Sequence, residues 1–364
     1  MSKVIVSSKQ AKPQTAILYG FVQKGREPDF EEFVLLAESA GVEIVEQVAQ
    51  RSTKPTPRHF ISEGSVNALT ELVELIKPDV VIFDCELKGS QRNNLENDID
   101  TPVIDRTELI LDIFAIRANT KEGKLQVELA QLMYQLPRLL GMGKHMSALG
   151  GGIGTRGPGE TKLEVDRRRI NLRMANLKRE IKSLEQQRDT QRKQRSKSSI
   201  PKISLVGYTN AGKSTLINKI TGSTAYADNR LFATLDPLTR RAHLSSSHRD
   251  VLITDTVGFL RRIPTQLIAA FKATLEEINY SDLLLIVVDI TDDDYEEKLH
   301  VVTKTLNEIG SGEIPYLIVF NKIDMIDKPS GISPNRQISI SAKKGDGIDL
   351  LLLEIDKMLN ERSG

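Results

Sequence analysis

The sequence feature that most constrains the fold is a short stretch bounded by two glycines and closed by lysine and serine. It reads Gly207-Tyr208-Thr209-Asn210-Ala211-Gly212-Lys213-Ser214. An apolar run, 203–206, precedes it, and a segment of helical composition follows. A glycine-bounded loop between a strand and a helix lets backbone N–H groups converge on phosphate oxygens, and the helix directs its positive end at them. The stretch therefore predicts a nucleotide phosphate site in an α/β fold.

Within this stretch, three side chains have expected roles. Lys213 would reach the β- and γ-phosphates, and Ser214 would supply an oxygen to Mg²⁺. Asn210 would contact the phosphates or a monovalent cation that stands in for an arginine finger. The predicted binding residues continue to Thr215. The alternative is an ordinary glycine-containing turn before a helix, and the further motifs described below argue against it.

Two short motifs near the carboxyl end predict which base is bound. Asn321-Lys322-Ile323-Asp324 follows the apolar run 315–320. Asp324 can accept hydrogen bonds from the N1–H and the exocyclic amine of guanine, a donor pair that adenine lacks. Ser341-Ala342-Lys343 follows a predicted strand at 337–340 and suits a backbone N–H contact to the guanine oxygen. The motifs therefore favour GTP over ATP.

Two further motifs are expected to respond to the γ-phosphate. Asp255-Thr256-Val257-Gly258 ends a predicted strand. Asp255 would hold Mg²⁺ through a water, and the N–H of Gly258 would contact the γ-phosphate. The first switch is predicted at Phe232-Ala233-Thr234-Leu235-Asp236. Its Thr234 supplies a second hydroxyl, and hard oxygen ligands of this kind suit Mg²⁺. Ser214, Thr234 and Asp255 are thus the predicted metal site, and loss of the γ-phosphate would release both loops.

The residue after Gly258 is Phe259. Ras-like GTPases have a glutamine there that orients the attacking water, and phenylalanine cannot do so. We therefore expect slow intrinsic hydrolysis, completed by another switch residue, a backbone group or a bound partner. The candidate catalytic groups are Lys213, Thr234 and Gly258.

The first hundred or so residues alternate strands with helices and contain no second phosphate motif. Strands are predicted at 15–22, 42–48, 80–85 and 102–104, and helices at 30–40, 63–77 and 90–97. This alternation predicts a small parallel α/β domain over residues 1–106. A recognition or docking module and a second catalytic centre are both compatible with it, and the first interpretation is favoured.

From residue 107 the apolar spacing becomes that of helices. The leucines at 125, 129, 132, 136 and 139 form one stripe, and Ile170, Met174, Leu177, Ile181 and Leu184 form an a/d seam. Two such stripes predict an antiparallel helical hairpin over 107–195. The remaining residues, 196–364, carry the nucleotide motifs and are predicted to form a Ras-like GTPase domain.

A glycine-rich segment, 147–160, joins the two predicted helices. Six of the ten residues from Gly150 to Gly159 are glycine. A flexible linker is one interpretation, but plain linkers rarely contain Ile, Arg and Pro, and a hairpin needs only a few connecting residues. We favour a loop that packs its backbone against a partner. The predicted contacts are Gly151, Gly152, Ile153, Gly154, Thr155 and Arg156.

Positive charge is concentrated in the helix that follows. Between Asp166 and Lys197, twelve Arg or Lys residues accompany four Asp or Glu residues, whereas the whole chain has a net charge of only +1. A solvated charged face is the alternative, but such faces usually mix both signs. The excess begins at Arg167-Arg168-Arg169 and predicts a nucleic-acid partner. Because no aromatic residues are interleaved, structured RNA bound through its backbone is favoured over stacked single strands.

Composition excludes several other classes of protein. The single cysteine, Cys85, excludes an internal disulfide framework, and no Cys and His spacing suits zinc. No run approaches the roughly 18 apolar residues of a membrane span, and the first residues lack the apolar core of a signal peptide. We expect a cytoplasmic protein, monomeric and without a membrane span.

Together, these motifs resemble those of the HflX family, translation-factor-class GTPases related to the Obg family. The resemblance rests on GYTNAGKSTL, LFATLDP, DTVGF, AFKATLEE and NKID, preceded by GGGIGTRGPGE. It extends from about Thr15 through the guanine motifs. A hydrophobic residue after the DTVG glycine is also usual in that family. Many relatives continue into a further C-terminal domain, whereas here a predicted helix at 346–358 and a few residues follow.

The resemblance implies an N-terminal domain of two parts, the α/β domain and the hairpin, joined to the Ras-like domain. It also implies Mg²⁺ as cofactor, and the large ribosomal subunit with its rRNA as partner. The hairpin and glycine loop would enter near the peptidyl-transferase region, and the protein would split or recycle stalled ribosomes, for example under heat stress. Two alternatives stay open: a ribosome-assembly GTPase of the Obg type, and a GTP-dependent switch whose hairpin docks a protein effector.

Overall fold

The computed structural model describes residues 13–22, 30–51, 54–148, 162–195, 200–222, 232, 238–261, 276–326 and 337–361. These residues form two compact units. The first combines the described residues up to Ile116 with Lys124–Ser183, and the second combines Arg117–Gly123 with those from Leu184 onward. The predicted domain boundaries after residues 106 and 195 remain predictions. No helix in the described ranges is long and apolar enough to cross a membrane.

The first unit contains a parallel sheet with the strand order β2-β1-β3-β4. Its strands are β1 (Thr15–Val22), β2 (Glu43–Arg51), β3 (Val80–Phe83) and β4 (Val103–Asp105). The helices between and after them are α1 (Phe30–Ser39), α2 (Glu63–Ile76), α3 (Gly89–Ile99) and α4 (Arg106–Arg117). Every residue of β3 is buried, which is why this strand is a continuous apolar run rather than an alternating one. The predicted parallel α/β fold is confirmed.

Helix α2 shows how local chemistry sets the bounds of an element. At its start, Ser62 caps the helix by accepting a hydrogen bond from the backbone N–H of Ser65. At its end, Lys77 adopts a left-handed conformation with φ of 54° and donates its N–H to the carbonyl of Val73. Pro78 follows and cannot continue the helix. The helix therefore ends one residue before the predicted boundary.

Two long helices, α5 (Lys121–Ala148) and α6 (Lys162–Arg195), follow α4. Arg173 of α6 pairs with Glu128 of α5 at 2.7 Å, and Arg188 pairs with Glu122, so the two helices run in opposite directions as predicted. The seam positions Leu177 and Ile181 are buried, as are Leu125 and Leu129 on α5. Burial of these side chains stabilises the helices more than the exposed Arg173–Glu128 pair, which contributes little.

A buried polar network fixes α5 to the carboxyl end of β4. Asp105, the last residue of β4, accepts hydrogen bonds from the Tyr134 hydroxyl at 2.7 Å and from Arg138 Nη2 at 2.8 Å. Arg138 Nη2 also donates to the carbonyl of Leu87 at 2.8 Å. A Cβ placed on Gly89 would lie 3.2 Å from the backbone of Arg138, so α3 and α5 approach closely. Removing one partner of such a buried pair strongly destabilises a fold.

Asp112, on α4, is a half-buried carboxyl group with an unusual pKa. Burial, together with the nearby charge of Glu108, raises the pKa of Asp112 to about 7, and Arg92 opposes the shift. Arg92 itself is committed to ion pairs with Glu96, at 3.0 Å, and Glu108. The folded chain therefore holds the Asp112 proton at pH values where the unfolded chain has lost it.

This difference predicts a pH dependence of stability. Because the folded state binds the proton more tightly, the stabilisation is fully present below the unfolded pKa and is lost as the pH rises through about 7. We expect the free energy of unfolding to fall by about 1 kcal/mol between about pH 6 and about pH 8 through this group. Asp112→Asn should remove that part of the slope in chemical unfolding of the full chain. The exposed Asp100→Asn is the control, and an unchanged slope in Asp112→Asn would contradict the assignment.

The second unit contains a sheet with the strand order β10-β9-β8-β5-β7-β6. Its strands are β5 (Lys202–Gly207), β6 (Leu238–Leu244), β7 (Arg249–Asp255), β8 (Leu283–Asp289), β9 (Tyr316–Asn321) and β10 (Gln337–Ser339). Its helices include α7 (Lys213–Thr221), α8 (Tyr295–Glu308) and α9 (Ile348–Glu361). Only β6 is antiparallel to its neighbour among these described strands. The carboxyl ends of the parallel strands therefore meet at one edge, the usual place for a ligand.

Candidate nucleotide site

The predicted phosphate loop connects β5 to α7. Gly207 ends the strand against β8, where a Cβ would overlap the carbonyl oxygen of Val287. Gly212, with φ of 91°, lies against the side-chain amide of Asn321, and a Cβ would overlap that group too. Asn210 adopts a left-handed φ of 61°, which asparagine tolerates better than most residues. The two bounding glycines thus let the backbone turn within the space left by β8 and β9.

Lys213 is the first residue of α7 and is buried. Its Nζ donates hydrogen bonds to the carbonyls of Gly207 at 3.1 Å and Tyr208 at 2.7 Å, across the mouth of the loop. Burial lowers the pKa of Lys213 to about 8, and the negative charge of Asp255 opposes this shift. The ammonium therefore remains largely protonated at neutral pH and lies where a phosphate group would meet the helix N-terminus.

The predicted metal ligands Ser214 and Asp255 lie side by side. The Ser214 hydroxyl donates to Asp255 Oδ2 at 2.6 Å, and Asp255, at the end of β7, is almost fully buried. A hydroxyl and a carboxylate beside a phosphate loop form a donor set that fits Mg²⁺. The described residues contain no group of three or more His, Cys, Asp or Glu side chains suited to another metal.

Asn321 connects the phosphate loop to the predicted base-reading loops. Its Nδ2 donates to the carbonyl of Ala211 at 2.9 Å, and its Oδ1 accepts from the N–H of Ala342 at 2.9 Å. The Ser341 hydroxyl donates to Asp324 Oδ1 at 2.7 Å. This hydrogen bond holds the pKa of Asp324 below its usual value, with help from its own backbone N–H and the nearby lysines. Asp324 is therefore ionised at neutral pH and positioned to accept hydrogen bonds.

The segment Asp255–Phe259 runs beside the phosphate loop. The Thr256 hydroxyl donates to the carbonyl of Leu205 at 2.6 Å. A Cβ on Gly258 would lie 2.7 Å from Thr209 Cγ2 and 3.0 Å from Lys213 Nζ, so Gly258 approaches the lysine ammonium closely. The side chain of Phe259 is buried, which agrees with the prediction that it does not orient a water molecule.

The structure brings most of the predicted nucleotide residues together. The described members are the phosphate-loop residues Gly207–Thr215, the segment 255–258, the tetrapeptide Asn321–Asp324 and the triad Ser341–Lys343. Phe232 is described and buried. Ala233, Thr234, Leu235 and Asp236 lie outside the described residues, as do Gly151, Gly152, Ile153, Gly154, Thr155 and Arg156. Arg167, Arg168 and Arg169 are exposed on α6.

Asp289 also contributes to the site, although none of the predicted motifs includes it. This residue ends β8, and its Oδ2 forms an ion pair with Lys322 Nζ at 2.5 Å. Its Oδ1 accepts from the Thr291 hydroxyl at 2.7 Å. The pair holds Lys322 beside the predicted guanine site. An aspartate directly after the apolar run 283–288 was the signal that could have revealed it.

Three family models match successive parts of the chain. The description "GTP-binding GTPase N-terminal" matches residues 27–115, "GTP-binding GTPase Middle Region" matches 117–195, and "50S ribosome-binding GTPase" matches 202–322. The curated protein "GTPase HflX" of Caldanaerobacter subterraneus is 49% identical over 348 residues, which are 95% of this chain and 81% of that protein. The chain belongs to the HflX family of GTPases. The resemblance seen in the motifs is thereby confirmed, and the chain is a GTP-hydrolysing enzyme.

Other HflX relatives and solved structures agree with this assignment. "GTPase HflX" of Escherichia coli is 45% identical over 347 residues, which are 93% of this chain and 81% of that protein. The crystal structure of the SsGBP–GDP complex is similar with a TM-score of 0.53 and 28% identity, over 96% of this chain and all of that one. A GTP-binding protein from Sulfolobus solfataricus in complex with GDP is similar with a TM-score of 0.51 and 28% identity, over 96% and 99% of the two chains.

The position of Asp324 predicts a change of base preference. In Asp324→Asn the side chain would present an amide N–H donor in place of one carboxylate oxygen. It should therefore lose its bond from the guanine amine and instead donate a hydrogen bond to the oxygen that xanthine carries at that position. We expect GTP affinity to fall roughly tenfold or more and xanthosine triphosphate to be preferred, in competition binding with a fluorescent nucleotide. Asp349→Asn, an exposed change at the start of α9, is the matched control. If Asp324→Asn bound GTP as tightly as the unchanged protein, Asp324 would not read the base.

Proposed function

We propose that this HflX-family GTPase binds the large ribosomal subunit in its GTP form and splits, recycles or rescues ribosomes. Hydrolysis then times its release. The observation that carries the proposal is the match of residues 202–322 to a family described as 50S ribosome-binding GTPases. In this proposal the protein acts in the cytoplasm as a monomer, with the ribosome and its rRNA as partners.

The nucleotide chemistry is proposed to depend on a small group of residues. Ser214, Thr234 and Asp255 would hold Mg²⁺, which neutralises charge on the phosphates when it is bound. Lys213 would bind the β- and γ-phosphates through its buried ammonium, and the Gly258 N–H would contact the γ-phosphate. The 2.6 Å contact between Ser214 and Asp255 supports the metal site. The 3.1 Å and 2.7 Å bonds of Lys213 to the loop carbonyls support its place beside the phosphates.

Contact with rRNA is proposed for α6 and for the glycine-rich segment before it. Arg167, Arg168 and Arg169 are exposed near the start of α6, within a segment that carries a large excess of positive charge. Clustered arginines on one element bind the RNA backbone and make the affinity strongly dependent on salt. The residues Gly151–Arg156 would enter the ribosome as a closely packing backbone.

Sedimentation of assembled ribosomes with the full chain tests this function directly. With a non-hydrolysable GTP analogue, we expect the protein to comigrate with the large subunit and the fraction of free subunits to rise; with GDP, neither should occur. Binding only to immature subunits would favour the ribosome-assembly alternative instead. Salt-insensitive binding to a protein, without rRNA, would favour the effector-docking alternative. Either result would contradict the proposal.

Replacement of Gly150, Gly151 and Gly152 by alanine tests the role of the glycine-rich segment. We expect intrinsic GTP hydrolysis within about twofold of the unchanged protein, and subunit splitting reduced roughly tenfold, because alanine restricts the backbone and prevents close approach. Gly64→Ala on α2 is the matched control, because a Cβ there meets nothing within 4 Å. Intact splitting in the triple variant would show that the segment only links the two helices.

A further inference from the structure

The side chain of Tyr208 reaches from the phosphate loop to the segment after Gly258. Its hydroxyl accepts a hydrogen bond from the backbone N–H of Arg261 at 2.5 Å, and its side chain is buried. Phosphate loops bind their ligand through backbone N–H groups, so a tyrosine hydroxyl is not required there for phosphate binding. The contact joins the loop that holds the phosphates to the loop expected to sense the γ-phosphate.

Two backbone hydrogen bonds join the same segments. The N–H of Phe259 donates to the carbonyl of Gly207 at 3.0 Å, and the N–H of Thr209 donates to the carbonyl of Phe259 at 2.8 Å. Tyr208 and Phe259 therefore form a parallel β-bridge. The tyrosine hydroxyl adds a third attachment, two residues further along the chain, where the backbone bridge has ended.

The side chain of Arg261 pairs with acidic residues at the amino-terminal end of α8. Arg261 Nη2 lies 2.8 Å from Asp294 Oδ2 and 3.6 Å from Glu297 Oε2. The ammonium of Lys298 lies 5.1 Å from the centroid of the Tyr208 ring, within the range of a cation–π contact. The backbone of Arg261 is thus tied to the phosphate loop while its side chain is tied to α8.

These attachments determine where Gly258 lies. Gly258 immediately precedes the bridged Phe259 and packs against Thr209 and the Lys213 ammonium. A catalytic hydrogen-bond donor must be held within a fraction of an ångström of its productive position, and each added attachment reduces the motion of the segment that carries it. Phe259 is buried and contributes no polar side chain. The rate of GTP hydrolysis should therefore depend more on the placement of backbone groups here than in enzymes with a glutamine at that position.

We propose that Tyr208 is a positioning residue for GTP hydrolysis. Its hydroxyl holds the segment 258–261 against the phosphate loop, so that the N–H of Gly258 faces the γ-phosphate of bound GTP. The proposal rests on the GTPase activity of the chain and not on its action at the ribosome. A protein that hydrolyses GTP but does not split ribosomes would contradict the proposed function and leave this test unaffected.

Tyr208→Phe removes only the hydroxyl and keeps the ring. We expect the single-turnover rate of GTP hydrolysis to fall about fivefold, the effect of losing one hydrogen bond that is made in the reactive arrangement. Affinity for a non-hydrolysable GTP analogue should fall about threefold relative to GDP, and GDP affinity should stay within about twofold. Tyr295→Phe is the matched control, because within the part of the chain that the structure describes its hydroxyl bonds only to the neighbouring Glu296, at 3.4 Å.

A second variant tests the attachment to α8. Asp294→Asn combined with Glu297→Gln should lower the hydrolysis rate in the same direction, and its effect in a Tyr208→Phe background should be smaller than in the unchanged protein, since both act on Arg261. Equal losses of GDP and analogue affinity in Tyr208→Phe would indicate general damage to the loop and would overturn the proposal. An unchanged or faster hydrolysis rate in that variant would also overturn it.

Discussion

The buried amide of Asn321 is the interaction on which the nucleotide site depends. Its Nδ2 donates to the carbonyl of Ala211 in the phosphate loop, and its Oδ1 accepts from the N–H of Ala342 beside the base-reading loop. A buried amide needs partners for both ends, so the two bonds stabilise each other's geometry. One side chain thereby sets the spacing between the part of the site that holds phosphate and the part that reads the base. Glycine at 212 is needed because that same amide leaves no space for a Cβ.

The regular elements were largely predictable from the sequence because their causes are local. The strand at Thr15–Val22 was predicted with its observed bounds, and α2 ends within one residue of its predicted end because Lys77 precedes a proline. The network of Asp105, Tyr134 and Arg138 was not predictable. Its members are 29 and 33 positions apart, and a polar residue inside a helical stripe carries no signal of its distant partner.

In the candidate site, too, some residues were predictable from the sequence and others were not. The loop from Gly207 to Ser214 and the tetrapeptide from Asn321 to Asp324 were recognisable because phosphate and guanine recognition require fixed residue types at fixed spacing. The hydroxyl of Tyr208 had no such signal, because its partner is a backbone N–H that any residue except proline would offer at position 261. Whether a side chain positions a catalytic loop depends on its tertiary contacts, and those contacts are seen only in the folded structure.

In the first unit, ion pairs lie at the carboxyl edge of the α/β sheet. The carboxyl edge of such a sheet, near the point where neighbouring connections diverge, is the usual place for a ligand. Here Asp84, directly after β3, pairs with Arg106 at 2.6 Å, and Asp105 pairs with Arg138 of α5. The protein's own arginines and carboxylates thus fill that edge and attach α5 to it. Among the described residues, this edge of the sheet therefore serves to hold α5 through buried ion pairs and hydrogen bonds.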